Sequence, residues 1–274
     1  MSLMLEKPVR VLLLGAGKVA THLLPALVQA EYHIAGVWSR NGSSAAAVVA
    51  AVPDTPVLTD LMALPPADIY LLALPDAVVP EVLAAARFPA GALVVHTAGA
   101  LPLSVFDAYP AIRGGVFYPL QTFSPGRQIN WPTVPLCLEA ADAAGLAMLQ
   151  QVAHSLSQDV RVLTSAQRLQ LHVAAVWASN FPNHLLGISH ALLSGAGLPW
   201  ELLLPLIRET VDKALSQPPF TAQTGPAVRH DAGTLARHEA ALAGHPAWQL
   251  LYRQLTASIQ AVAAETSANK PPGK

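Results

Sequence analysis

The sequence predicts an α/β protein in two parts, a doubly wound parallel sheet followed by an all-α C-terminal domain. Three observations carry this. Short blocks rich in β-branched residues and leucine alternate with alanine-rich stretches through about residue 163; a glycine-rich turn stands directly after the first block; and from about Thr164 the strand signal gives way to helical period. The expected boundaries are a sheet domain over 1–163, a helical domain over 164–265 and a disordered tail over 266–274, where Asn269, Lys270, Pro271 and Pro272 offer nothing to bury.

The first block, Val9 to Leu14, is apolar at nearly every position and suits a strand buried on both faces. GAGKVA follows, so that Gly15, Gly17 and Ala20 fit G-x-G-x-x-A. The first glycine makes the tight turn, the second lets backbone approach a pyrophosphate, and the small third packs helix on strand. A phosphate bound here would lie against Gly15, Ala16, Gly17, Lys18 and Val19 at the N-terminus of the next helix. The alternative is a tight strand-to-helix turn that needs a glycine for positive φ. A second strand, His33 to Trp38, at the distance of a βαβ unit favours the dinucleotide. Pro25 lies inside the intervening helix, removes the bond to the Thr21 carbonyl, and should bend it.

At the end of the second strand an acidic residue would bind the ribose hydroxyls of NAD. Here the chain reads Trp38, Ser39, Arg40, Asn41, which offers a hydroxyl and a guanidinium for the 2′-phosphate of NADP. The other reading of Arg40 is a solvated loop residue. Further strands are expected near Val57–Leu58, Ile69–Leu74, Leu93–His96, Gly115–Phe117, Val134–Leu138 and Val160–Leu163. Three loops follow their C-terminal ends, where open α/β sheets place ligands. LPDAVVP brings Leu74 and Pro75 toward the cofactor, with Asp76 read as a helix N-cap. HTAGAL brings His96, Thr97 and Gly99, and YPLQTFS brings Tyr118, Gln121 and Thr122.

In the helical part, one helix should run from Ser165 past His190 with a bend near Pro182. A second should begin at Pro199, a third at Ala232 under an Asp231 cap, and a last should cover Ala247 to Glu265. His172, Val176, Ser179 and Asn180 recur at near-helical spacing and can share one face. A histidine titrates near neutrality, which makes His172 the first candidate for proton transfer, with His96 behind it and Asn180 as the orienting group. The competing reading of His172 is a core histidine satisfied by a backbone carbonyl.

The chain has 274 residues, 53% of them hydrophobic and 12% charged, with a formal net charge of −1. That balance favours neither nucleic acid nor an anionic membrane as partner. The low charge content suggests surface buried between domains or subunits, and the helical domain is the expected seat of a homodimer. A single cysteine, Cys137, in an apolar run reads as a core thiol and agrees with a reducing cytoplasm. No signal peptide or membrane span is expected. The ten histidines show no ligand spacing for a metal, and there is no G-x-S-x-G elbow.

The order GAGKVA, SR, LPD, HTAG, FYPLQTFS, HVAAVWASNF and TGPAVRHDAGT, from about Val9 to Val262, resembles the family of NADP-dependent oxidoreductases that join a Rossmann-like domain to a helical domain of uncharacterised function. That family is similar to the 6-phosphogluconate dehydrogenase superfamily, which includes ketopantoate and pyrroline-carboxylate reductases. The resemblance implies NADP at the crevice and a small-molecule substrate between domains. Two departures stand out. β-Hydroxyacid dehydrogenases of that superfamily use a lysine four residues before an asparagine; Asn180 matches the asparagine, but Val176 holds the lysine position, and no lysine occurs between Lys18 and Lys213. His172, two turns before Asn180, could substitute. The second departure is His230, where relatives are expected to carry glycine. The expectation is hydride transfer to or from a small carbonyl or imine. The alternatives are a non-catalytic NADP-binding sensor or scaffold dimer, or an NADP-dependent flavin or deazaflavin reductase.

Overall fold

The structure, a computed structural model, describes residues 9–52 and 54–268. The chain divides into two compact units, one ending at Phe181 and the other starting at Pro182.

The first unit is built on an eight-stranded sheet. Its elements in chain order are β1 (Arg10–Leu14), α1 (Lys18–Gln29), β2 (His33–Trp38), α2 (Gly42–Val49), β3 (Val57–Leu58), β4 (Ile69–Leu72), α3 (Val79–Ala85), β5 (Leu93–His96), β6 (Arg113–Pro119), β7 (Leu136–Ala140), α4 (Ala143–Leu156), β8 (Val160–Val162) and α5 (Ser165–Ala175). The spatial order is β3-β2-β1-β4-β5-β6-β7-β8. β1 to β6 pair in parallel, but β7 runs antiparallel to β6 and β8 parallel to β7. The expected all-parallel sheet therefore fails at one place. A parallel neighbour needs a crossover, usually a helix. Residues 120–135 hold only the short 3₁₀ turn Trp131–Thr133, so the chain folds straight back. α4 then supplies the crossover to β8.

Both faces of the sheet are covered, as its continuous apolar runs require. Val11 and Leu13 of β1 pack with Leu23, Leu24 and Leu27 of α1 and Leu149 of α4. Leu12 and Leu14 point the other way, onto Val79, Val82 and Leu83 of α3 and onto Phe106. Pro25 is accommodated inside α1 without ending it. Asp76 opens a 3₁₀ turn ahead of α3 and caps nothing, because Pro75 holds the N-cap position; this corrects the cap expected from the sequence.

α5 belongs to the first unit, although the sequence change at Thr164 suggested a boundary there. Its start is tied to β7. Thr164 and Gln167 form a reciprocal capping box, and Glu139 accepts from the Ser165 backbone N–H at 2.9 Å and hydroxyl at 2.7 Å. Arg168, 1% exposed, pairs with Glu139 and donates to the Leu101 carbonyl at 2.5 Å. The helix then loosens into a π turn over Val176–Asn180 and resumes as α6 (Phe181–Gly195). Pro182 lacks an N–H and cannot bond to the carbonyl four residues back, and the wider turn stands just before it, at the place where the sequence suggests a bend.

In the second unit, a 3₁₀ turn at Trp200–Leu203 precedes α7 (Leu204–Ser216), so the helix forms a few residues later than Pro199 suggested. α8 (Ala232–Ala241) is capped by Asp231, whose carboxylate accepts from Thr234 N–H at 3.0 Å. α9 (Pro246–Ala268) ties back to α8 through Arg253 and Glu239 at 2.6 Å. It continues past Thr266, and residues 269–274 of the expected tail lie outside the described residues. Among the described residues no helix is long and apolar enough to cross a membrane.

Candidate active site

The end of β1 builds a crevice. Gly15 has φ +117°, and a Cβ there would stand 2.2 Å from the Ala73 carbonyl oxygen, so the turn admits only glycine. Its N–H donates to the Trp38 carbonyl at 2.7 Å, which draws the loop onto the end of β2. Gly17 is the N-cap of α1, with no side-chain cap and no acidic residue in the first turn. A Cβ at Gly17 would meet nothing within 4 Å, so its glycine answers to no packing need of the protein. A cavity of about 200 Å³ is lined by Gly15, Ala16, Gly17, Ser39, Arg40, Leu74 and Pro75, among others. Seven of the ten residues expected at a cofactor thus meet at one place. The other three do not line it. Lys18 is exposed and Val19 packs on the core. Thr97 is buried, its N–H and hydroxyl both directed at the Leu72 carbonyl at 3.3 and 3.4 Å.

A second cavity, of about 490 Å³, opens where β6 ends against α5 and the π turn. Tyr118, Gln121, Thr122, His172, Ser179 and Asn180 line it. His172, Val176, Ser179 and Asn180 share this wall, as their spacing suggested. The Tyr118 hydroxyl and His172 Nδ1 are 3.1 Å apart, with the rings edge to face. Burial pushes the Tyr118 phenol up to about 12, with Cys137 and Asp76 adding to the effect and Arg168 opposing it. Asn180 is exposed along the cavity wall. Gly99 is the floor under the pair, since a Cβ there would lie 2.4 Å from His172 Nδ1.

His96 stands apart from both cavities. It is 0% exposed, stacks on Phe106, and accepts the Ala98 N–H at Nδ1 (3.2 Å). Burial, helped by the Arg168 charge, pushes it down to about 3. Among the described residues its Nε2 makes no hydrogen bond, and the opposing pull of the Pro102 carbonyl does not amount to one. A histidine so held stays neutral near pH 7 and reaches no ligand, which removes it as a proton donor. The buried Glu139–Arg168 pair was missed by the sequence reading, because an arginine in SAQRLQ reads as an ordinary solvated helix residue. Cys137 is buried, and burial raises its thiol, as expected of a core cysteine. Among the described residues no cluster of three or more His, Cys, Asp or Glu is arranged for a metal.

Residues 4–120 match the Rossmann-like domain family and residues 134–259 match a domain of unknown function. No curated protein matches the sequence. Among solved structures, the chain is 38% identical to a candidate NADP oxidoreductase of Bacteroides fragilis, covering 92% of this chain and 98% of that one with a TM-score of 0.84. A Thermotoga maritima protein shares 21% identity over 94% of this chain and 99% of its own, with a TM-score of 0.67. A reductive aminase of Aspergillus terreus, solved with NADPH and ethyl levulinate, shares 14% identity over 96% of this chain and 100% of its own, with a TM-score of 0.72. These last two likenesses speak for the fold alone.

Proposed function

Because the chain belongs to the family that joins a Rossmann-like domain to a domain of unknown function, together with the Bacteroides fragilis NADP oxidoreductase candidate, we propose that it is an NADP-dependent oxidoreductase acting on a small carbonyl or imine. The observation that carries this reading is the crevice at the ends of β1 and β2. There Gly17 leaves open space at a helix N-terminus, and Ser39 and Arg40 stand where a carboxylate would select NAD. The residues fit an NADP molecule: the Gly15–Gly17 backbone would take its pyrophosphate, Arg40 its 2′-phosphate, and Leu74 and Pro75 would flank its nicotinamide half. Bound there, NADP supplies or accepts the hydride.

The cavity beside β6 supplies the rest. β4 and β6 flank β5, so their ends lie about 10 Å apart at the usual strand spacing. His172 is the group that protonates the oxygen or nitrogen of the product, and Asn180 orients the reacting double bond. Neither needs the lysine that position 176 lacks. The second unit serves as the interface of a homodimer. Leu202, Leu206, Leu215 and Phe220 are 60, 62, 82 and 70% exposed, and among the described residues of that unit only Ala227 and Leu242 are fully buried apolar side chains. A lone buried thiol fits a reducing compartment such as the cytoplasm.

The test is loss of NADPH absorbance across panels of small ketones, aldehydes, imines and flavins. Turnover of a carbonyl or imine that falls about 100- to 10,000-fold in His172→Gln, with NADPH affinity unchanged within a few-fold, is the expected result. Tight NADPH binding without turnover of any compound would instead favour the sensor, and turnover of flavins alone the flavin reductase. Light scattering showing a monomer at micromolar protein would remove the dimer.

A further inference from the structure

Tyr118 and His172 are 54 positions apart in sequence and meet at one hydrogen bond. The geometry points to Tyr118 as a positioning residue for His172: its hydroxyl donates to Nδ1, fixing the neutral imidazole with its proton on Nε2, and the missing side chain of Gly99 leaves the room in which the pair forms. This rests on the reading of His172 as the group that meets the substrate.

The direction of the bond follows from satisfaction. Tyr118 is 9% exposed, and His172 Nδ1 is the partner its hydroxyl finds. If Nδ1 carried the proton, the phenol hydrogen would be left without an acceptor in a half-closed wall. The phenol keeps that hydrogen at ordinary pH, because burial first, then Cys137 on β7 and Asp76 after β4, disfavour the tyrosinate more than Arg168 on α5 favours it. Among the described residues His172 Nε2 finds no hydrogen-bond partner, and it is not shut off from solvent, so it is the nitrogen left for a ligand. Gly99 sets the distance, since a Cβ would lie 2.4 Å from Nδ1 and 3.0 Å from the Tyr118 ring.

The consequence is chemical. A hydroxyl, unlike a carboxylate, both donates and accepts. When the ring is neutral, Tyr118 donates to Nδ1; when it is cationic, Nδ1–H donates to the Tyr118 oxygen. Nε2 carries a proton toward the cavity in both states, so a hydrogen-bond donor faces the reacting oxygen or nitrogen whichever state is populated.

The experiment is ¹⁵N NMR of the whole protein labelled at histidine, at alkaline pH where the rings are neutral, with His172→Gln identifying the His172 signals by their loss. Wild type is expected to show Nε2 protonated and Nδ1 as a bare, hydrogen-bonded nitrogen. In Tyr118→Phe the Nδ1 signal should move to the position of a nitrogen without a donor. Gly99→Ala, which keeps the hydroxyl but displaces the ring, should move it likewise. Wild type with Nδ1 protonated overturns the proposal without any variant, as do unchanged His172 signals in Tyr118→Phe. No substrate or cofactor enters the readout, so failure to find an NADPH-dependent reaction would count against the function and not against this pair.

Discussion

Replacing Arg168 by Met keeps most of the aliphatic stem and removes the guanidinium from a place where it is 1% exposed. Its two short charge-assisted contacts go with it, to Glu139 and to the Leu101 carbonyl, together with a long one to the Ser165 hydroxyl at 3.3 Å. Glu139 keeps its Ser165 donors at 2.9 and 2.7 Å, so its charge is left with neutral partners only. At about 1.5 to 3 kcal/mol per hydrogen bond to a charged group, the sum reaches about 3 to 6 kcal/mol. Measured losses on breaking a buried pair run at about 3 to 5 kcal/mol. Both routes place Arg168→Met about 3 to 5 kcal/mol below wild type in urea unfolding followed by tryptophan fluorescence. In a unit of this size that is a fall in Tm of roughly 6 to 20 °C. The pair carries its own cost, because Arg168 Nε is buried without a partner among the described residues. Removing both charges in Arg168→Met/Glu139→Gln, where an amide oxygen at position 139 can still accept from Ser165, should therefore recover part of the loss. A single variant within about 1 kcal/mol of wild type would mean that the Glu139–Arg168 pair contributes no more than an exposed ion pair.

Other perturbations test the site residue by residue. Gly15→Ala places a Cβ 2.2 Å from a carbonyl oxygen at φ +117° and should cost at least about 2 kcal/mol, whereas Gly17→Ala meets nothing within 4 Å and should stay within about 1 kcal/mol in the same unfolding assay. His96, held near 3 by burial and Arg168, takes up its proton in the unfolded chain at about 6.5 but not in the fold. Between those values the unfolded state binds more protons, so stability must fall as pH falls, with a slope approaching about 1.4 kcal/mol per pH unit. His96→Asn, which keeps an acceptor for the Ala98 N–H, should lack that share of the slope. Parallel profiles of urea midpoint against pH for the two proteins would show that His96 titrates alike in both states.

Much of the sheet was legible because its strands are buried on both faces, which leaves unbroken apolar runs ending at turns. His33–Trp38, Val57–Leu58 and Leu93–His96 form as read. The direction of β7 was hidden, since it depends on the absence of a helix in residues 120–135 and not on any residue of the strand. The π turn was hidden too, although Pro182 marked the place. His230 shows the opposite case. At a position where the resemblance leads one to expect glycine, it adopts φ +51°, a left-handed conformation that glycine takes without strain. At the site, local signals such as Gly15, Gly17 and Arg40 could be read singly. The pairs Tyr118–His172 and Glu139–Arg168 could not, because no period or spacing links residues joined only by the fold.

The crevice beside Gly17 and Arg40 should select NADP over NAD. Calorimetric titration of NADPH and NADH into wild type, Arg40→Ala and Gly17→Val tests it most directly. Wild type should prefer NADPH by about one to two decades, the equivalent of about 1.5 to 3 kcal/mol for a charge-assisted contact to the 2′-phosphate. Arg40→Ala should lose that preference while keeping NADH affinity, and Gly17→Val should bind neither cofactor yet unfold like wild type. Equal wild-type affinities for the two cofactors, or undiminished NADPH binding by Gly17→Val, would contradict it.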